Sequence, residues 1–260
     1  TAGLRITATD MQVSMQERVD AAVRGHGSVC VNIQYLLRIV STLPAKPLRI
    51  KGLDNHWISV SVGRSEFKLM GQAPGDFPEL PSPGSKAKWS PVSGAGLRGL
   101  IDRVAFSVST DEARTNLNGM LLESTGARAI AVSTDGHRLT KYAADLTLPK
   151  LDKSIIIPRR GLTELRNFVD KRSGDIERCI PDGASDHMFV RDAGATISIK
   201  LNNVVFPPYE QVIPKNTQRR ATVDRVEFMS VLKRAVVMAP EKTATVKLSL
   251  DKGAMTLTAD

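Results

Sequence analysis

The run Ser133-Thr134-Asp135-Gly136-His137-Arg138-Leu139 gathers a carboxylate, an imidazole and a guanidinium into a few consecutive positions. A catalytic reading would make His137 a general base oriented by Asp135. The two are nearly adjacent in the chain, however, and no Ser or Cys nucleophile motif accompanies them. Asp-Gly directly after an alternating run is first a tight-turn signal, because Gly accepts positive φ. That accounts for Asp135-Gly136 and leaves His137-Arg138-Leu139 unexplained. The other reactive groups suggest no chemistry. His26, His56, His137 and His187 share no ligand spacing, and Cys30 and Cys179 lie far apart with no CxxC. The two cysteines read as reduced, buried thiols rather than a disulfide framework. No cofactor, metal site or enzymatic activity is expected.

Charge offers the first positive hint. A net charge of +9 and a pI near 9.7 favour polyanions, whatever their sequence. The 260 residues suffice for two or more domains. Mean hydropathy of -0.14 is that of a globular chain, and no apolar run approaches the roughly 18 residues that span a bilayer. No charged-then-apolar signal opens the sequence, and both ends read as cut within a larger pattern.

That pattern is a repeat. Leu4–Asp10, Ala129–Asp135 and Ala254–Asp260 are period-2 strands, each ending in Asp, with the aspartates at a constant step of 125 residues. Phe77-Pro78 and Phe206-Pro207-Pro208 each lead through a Pro-rich stretch into a helical pattern, at 97–108 and 226–237. Leu97, Leu100, Ile101, Val104 and Val108 mark one helix face. Ile33, Leu36, Leu37, Val40 and Leu43 mark another, closed by Pro44. Leu162, Leu165, Phe168 and Val169 give a third within 157–171, and Phe228, Leu232, Ala235 and Val236 a fourth, with Asp224 as its N-cap. Alternating strands lie at 57–62, 65–70, 188–190, 196–201 and 246–250, and linkers at 73–95 and 206–222. The expectation is an α+β protein in which each repeat holds two helices backed by antiparallel sheets.

The polar faces of these helices are basic. Arg159, Arg160, Arg166, Lys171 and Arg172 stand against Glu164 and Asp170, Arg98 and Arg103 against Asp102, and Lys233 and Arg234 against Glu227. Lys86, Lys88, Lys215, Arg219 and Arg220 add charge in the linkers. Solvated helix faces would explain any one of these clusters. Their recurrence in a repeat favours a shared surface facing a polyanion. Aromatics, at 5%, are not interleaved with the basic runs, which argues against base stacking on single strands. No recognition helix or finger is visible. Backbone-level contact with duplex DNA fits best.

The motifs then resemble a known family. Leu117-Asn118-Gly119-Met120-Leu121 and Ala131–Leu139 look like the middle-domain signature of bacterial DNA polymerase III beta subunits, the sliding clamps. Ile157–Leu165 and Phe206–Asn216 match in order and spacing, and Gly63-Arg64-Ser65, Phe67 and Asp76-Phe77-Pro78 resemble the end of the first domain. The similarity runs through essentially the whole chain. It implies repeated clamp domains arranged as a ring segment: 1–84 a first domain without its N-terminal part, 85–208 a complete middle domain, and 209–260 a third without its C-terminal part.

The resemblance further implies a non-catalytic clamp, a head-to-tail homodimer that encircles double-stranded DNA without reading its sequence. It would tether the DNA polymerase III alpha subunit, the clamp loader and repair polymerases through short hydrophobic motifs. Helices would line the hole and sheets form the rim, in the bacterial cytoplasm and on the nucleoid during replication, with no membrane role. The peptide pocket would comprise Leu117, Thr134, Gly136, His137, Arg138, Leu139, Pro207 and Val212, an apolar floor with polar groups that fix orientation. Gln211 stands where many relatives carry Arg, and Gln34 and Tyr35 where basic residues are common. DNA contacts would fall on Arg159 and Arg160, then Arg98, Arg103 and Arg166. Ile39 and Phe67 would face Val237 and Met238 of a neighbouring subunit, an apolar pair on an apolar pair. Two other readings are a duplicated nucleic-acid-processing enzyme, which would need a carboxylate or metal cluster, and a protein scaffold with no DNA role.

Overall fold

The computed structural model describes residues 3–85, 87–151, 153–172, 175–179, 186–216, 218, 220–239 and 245–259. The chain divides into two compact units, Thr1–Pro207 and Pro208–Asp260.

The first unit opens with the hairpin of β1 (Gly3–Thr9) and β2 (Val13–Asp20). Asp10 makes the turn, its Oδ1 accepting the amides of Gln12 at 3.0 Å and Val13 at 2.7 Å. β3 (Cys30–Val31) leads into α1 (Ile33–Thr42), capped by the Asn32 side chain, which accepts the amides of Gln34 and Tyr35. A meander of β4 (Arg49–Gly52), β5 (Ile58–Val62) and β6 (Ser65–Leu69) follows, and β7 (Gly71–Gln72) returns to pair with β3. The predicted apolar stripe of α1 is present but only partly covered: Leu36 and Leu43 are half-buried, whereas Ile33, Leu37 and Val40 are exposed. Periodicity locates a stripe; it does not supply the surface that buries it. Cys30 is a free thiol and half-buried, not buried as expected, while the Cys179 side chain lies outside the described residues.

The middle repeat begins with β8 (Ser90–Ser93) and α2 (Gly94–Val104), in whose first turn the Gly96 amide donates to the Ser93 hydroxyl. β9 (Gly119–Ser124), β10 (Ala129–Thr134), β11 (Leu139–Ala144) and β12 (Ile155–Pro158) form a four-stranded sheet in the order β11-β10-β9-β12. Then come α3 (Arg159–Asp170), β13 (Asp175–Cys179), β14 (His187–Arg191) and β15 (Ala195–Lys200). Leu97, Leu100, Ile101 and Val104 of α2 join Leu162, Leu165, Phe168 and Val169 of α3 in a single core. Met120, Leu122, Ala129 and Ala131 of one sheet and Met188, Val190, Ile197 and Ile199 of the other complete it. Each fully buried aliphatic side chain contributes about 1.5–3 kcal/mol.

The second sheet runs β1-β2-β15-β14-β13-β8, so the first repeat's hairpin extends the middle repeat's sheet. Met15 pairs with Ile197 and Val13 with Ile199. This continuity makes one unit of what the sequence presents as two domains. Three boundaries differ from expectation. The linker at 73–95 contains β8 and the start of α2. The helix expected at 97–108 stops at Val104, and a 3-10 turn, Ala105–Ser107, carries the chain to a buried, extended Val108. Ile157 and Pro158 belong to β12 rather than to the following helix.

The second unit holds α4 (Arg225–Met238) and the hairpin of β16 (Lys247–Asp251) and β17 (Ala254–Thr258). Asp224 caps α4 as predicted, its Oδ1 accepting the Glu227 amide at 2.8 Å. The linker lysine Lys86, the linker arginine Arg219 and the third repeat aspartate, Asp260, lie outside the described residues.

Candidate functional site

The Asp135 turn closes the β10–β11 hairpin, in which Thr134 pairs with Leu139. Asp135 Oδ1 accepts the amides of His137 and Arg138, both at 3.0 Å, and its Oδ2 meets Arg138 Nε at 2.9 Å. The His137 amide, then the Arg138 amide and the Arg138 guanidinium, hold this carboxyl down to about 2. A carboxylate so engaged cannot serve as a base near neutrality. Thr134 Oγ1 donates to the Arg138 carbonyl at 2.7 Å and accepts the Gly136 amide at 3.1 Å. Gly136 has φ of +92°, a conformation a side chain would strain, although a Cβ there would approach only Arg114 Nη1, at 3.7 Å. The turn thereby presents His137 and Arg138 outward, with Leu139 and Leu117 half-buried.

Two features here escaped the sequence reading. Phe106 is 59% exposed, and the Arg138 guanidinium lies 5.6 Å from its ring centroid. The hairpin is also fastened to the end of α2, since Ser133 Oγ donates to the Val104 carbonyl and Ser107 Oγ lies 2.6 Å from Thr140 Oγ1. A large aromatic at the foot of a helix was the only signal for the first; nothing in the sequence pointed to the second. Of the remaining predicted peptide contacts, Pro207 is half-buried at the end of the first unit, and Val212 lies exposed in the second.

The arginines of α2 and α3 occupy different electrostatic positions. Arg98 reaches Asp102 at 3.3 Å and Asp170 at 2.7 Å, and Arg166 reaches the same two carboxylates, Asp170 at 3.7 Å. Arg98–Asp170 and Arg166–Asp102 pair residues that advance along α2 and retreat along α3, so the helices run antiparallel. The Arg166 hydrogen bond, foremost, lowers the Asp102 pKa. Arg160 contacts Asp10 at 3.2 Å and Glu164 at 3.5 Å. Arg103 lies with its guanidinium 4.6 Å from the Tyr142 ring centroid. Arg159, exposed at the first position of α3, has no acidic partner among the described residues. For the predicted subunit contacts, Ile39 is half-buried on α1, Phe67 is partly exposed on β6, and Val237 and Met238 project from the end of α4 at 81% and 75% exposure.

Among the described residues, no three metal-ligating side chains converge, and no helix is long and apolar enough to cross a membrane. Paired amphipathic helices packed against antiparallel sheets, present in the middle repeat as α2 and α3, are the architecture of a DNA clamp domain. Family models of the DNA polymerase III beta subunit match in order along the chain: the N-terminal domain over residues 1–81, the central domain over 92–208 and the C-terminal domain over 210–260. The beta sliding clamp of Pseudomonas aeruginosa is 30% identical over 261 residues, covering 99% of this chain and 70% of that protein. That of Vibrio cholerae is 32% identical over 263 residues, covering 99% and 69%. A crystal structure of the Pseudomonas aeruginosa beta subunit superposes with a TM-score of 0.88 at 30% identity, covering 100% of this chain and 72% of that one. A structure of a Pseudomonas aeruginosa clamp bound to griselimycin does so with a TM-score of 0.88, also at 30% identity, covering 99% and 69%.

The chain belongs to the beta sliding clamp family, the beta subunits of bacterial DNA polymerase III. The family consists of non-catalytic processivity factors, homodimeric rings that encircle duplex DNA and hold the polymerase through short peptide motifs. Its expected role as a DNA sliding clamp, and its α+β clamp fold, stand on that membership.

Proposed function

We propose that the paired helices α2 and α3 form the DNA-facing surface of this clamp and that the Asp135 turn is its docking point for partner peptides. The observation that carries the DNA assignment is Arg159, an exposed cation at the start of α3 with no acidic partner among the described residues, where the helix dipole also favours an anion. Arg160 stands beside it, and Arg103, Arg98 and Arg166 complete the assigned set. Such side chains attract phosphates without entering a groove, so the contact is independent of sequence and the ring can slide. The peptide assignment rests on Leu117, Thr134, Gly136, His137, Arg138 and Leu139, which combine half-buried leucines with outward polar groups. Pro207 and Val212 join them on the family resemblance alone. Ile39 and Phe67 of one subunit would meet Val237 and Met238 of another, for all four are at least partly accessible. We place the domain boundaries near 84/85 and 208/209; the family matches over 1–81, 92–208 and 210–260 support this reading. The working compartment is the bacterial cytoplasm, on nucleoid DNA.

Retention on DNA tests this. The protein should remain on closed circular duplex and leave once that duplex is linearised. Equal retention on both forms would reject the clamp assignment. Charge reversal at Arg159 and Arg160 separates a clamp from a scaffold. R159E/R160E should abolish DNA-dependent stimulation of the polymerase while a short hydrophobic partner peptide still binds.

A further inference from the structure

The four residues that join α2 to α3 have no part in the assignments above beyond the two arginines among them. Arg98 and Arg166 each contact both Asp102 and Asp170, a closed two-by-two arrangement across neighbouring helices. None is buried: side-chain exposure is 46% and 42% for the arginines and 37% and 28% for the aspartates. The helices do not need this network to associate, because Leu97, Leu100, Ile101 and Val104 already pack in one core with Leu162, Leu165, Phe168 and Val169. Exposed ion pairs contribute little to stability, a median of about 0–1 kcal/mol each. The network's larger effect is on the field above the helices. Two cations that would otherwise face solvent are matched by two anions, and the group sums to zero charge.

We propose that Asp102 and Asp170 restrain the DNA grip of this face by holding Arg98 and Arg166 in intramolecular pairs, so that these arginines give up only part of their charge to phosphate and Arg159 carries most of the contact. This rests on the assignment of α2 and α3 to DNA. It gives the carboxylates a role in function: a sliding protein needs a hold weak enough to be broken at every step. Each phosphate neutralised steepens the dependence of log affinity on log salt by about 0.9. An arginine already paired with a carboxylate gains less by meeting a phosphate, since it must first give up its partner.

The test uses the full chain and a short fluorescent duplex, with binding measured across a salt series. The D102N/D170N variant should bind more tightly at low salt and show a slope steeper by about 1–2, as the freed arginines reach phosphates. The same two aspartate changes made in an R98Q/R166Q background should add no steepening, since no paired arginine is left to free, whereas R159Q should make the slope shallower by about 1. Thermal melting of each variant confirms that it is folded. An unchanged or shallower slope in D102N/D170N, or an equal steepening when those changes are made in the R98Q/R166Q background, overturns the proposal. If R159Q also leaves the slope unchanged, the DNA-facing assignment itself fails, which separates the two conclusions.

Discussion

Asp10 and Asp135 perform one task a repeat apart. Each ends a strand, and each offers Oδ1 to the amides two and three residues on, at 3.0 and 2.7 Å in the first case and 3.0 and 3.0 Å in the second. Their second oxygens diverge, that of Asp10 going to Arg160 of the next repeat and that of Asp135 to Arg138 of its own turn. Only the shared half could be read from the sequence, because Asp at a strand end has a local consequence. The partner of the free oxygen is set by tertiary placement. The depressed carboxyl of Asp135 gives a pH prediction. An unfolded Asp titrates near 3.9, so with a folded value of about 2 the turn's ionised hydrogen bonds are complete above about pH 4. They are lost as pH falls through about 2, and the loss favours unfolding. A carboxyl-carbon NMR titration should place the Asp135 midpoint near 2. A midpoint near the ordinary Asp value would show that the turn is not closed as described.

Helices were the most legible elements and short strands the least. All four helices follow apolar spacing, and the Asp224 cap was readable as such. β8 reads as linker in the sequence because Pro91 sits within it amid a Pro-rich run. It lies at the edge of its sheet, where a missing amide is tolerated. β2 escaped because Gln16-Glu17-Arg18 interrupt its alternation, and the pairing with β15 that holds it comes from far along the chain. Counting charges helix by helix likewise left Asp102 and Asp170 as a minor acidic balance, because it cannot show which helix faces which. Gly161 illustrates the same limit. It sits within α3, where Ala would normally be favoured by about 1 kcal/mol. A Cβ at that position would collide with the Ile199 side chain of β15, and the glycine lets helix and sheet approach closely. G161A should therefore destabilise the protein by about 1–3 kcal/mol in chemical denaturation. The penalty should shrink in an I199A background. An equal penalty in both backgrounds would mean that the contact is not the cause.

For the whole molecule, the boundary between compact units falls at Pro207, not at the first repeat boundary, because a continuous sheet unites the first two repeats. Beyond the 3-10 turn Tyr209–Gln211, the described residues up to Asp224 form no helix or strand, and Lys215 and Arg220 are exposed there. Brief trypsin treatment should cut at these basic sites first and leave a resistant fragment ending close to Lys215. Mass spectrometry would identify it. Early cleavage within β1, β2 or β15 would contradict the union of the first two repeats. The strand pairing that joins those repeats also gives the joint a mechanical direction. Tension along β2 and β15 would load their hydrogen bonds in parallel, so that many must yield together. Tension applied across the strands would release the same bonds one after another. The joint should resist shear far better than peeling, much as a zip holds under a lengthwise pull and opens from its end.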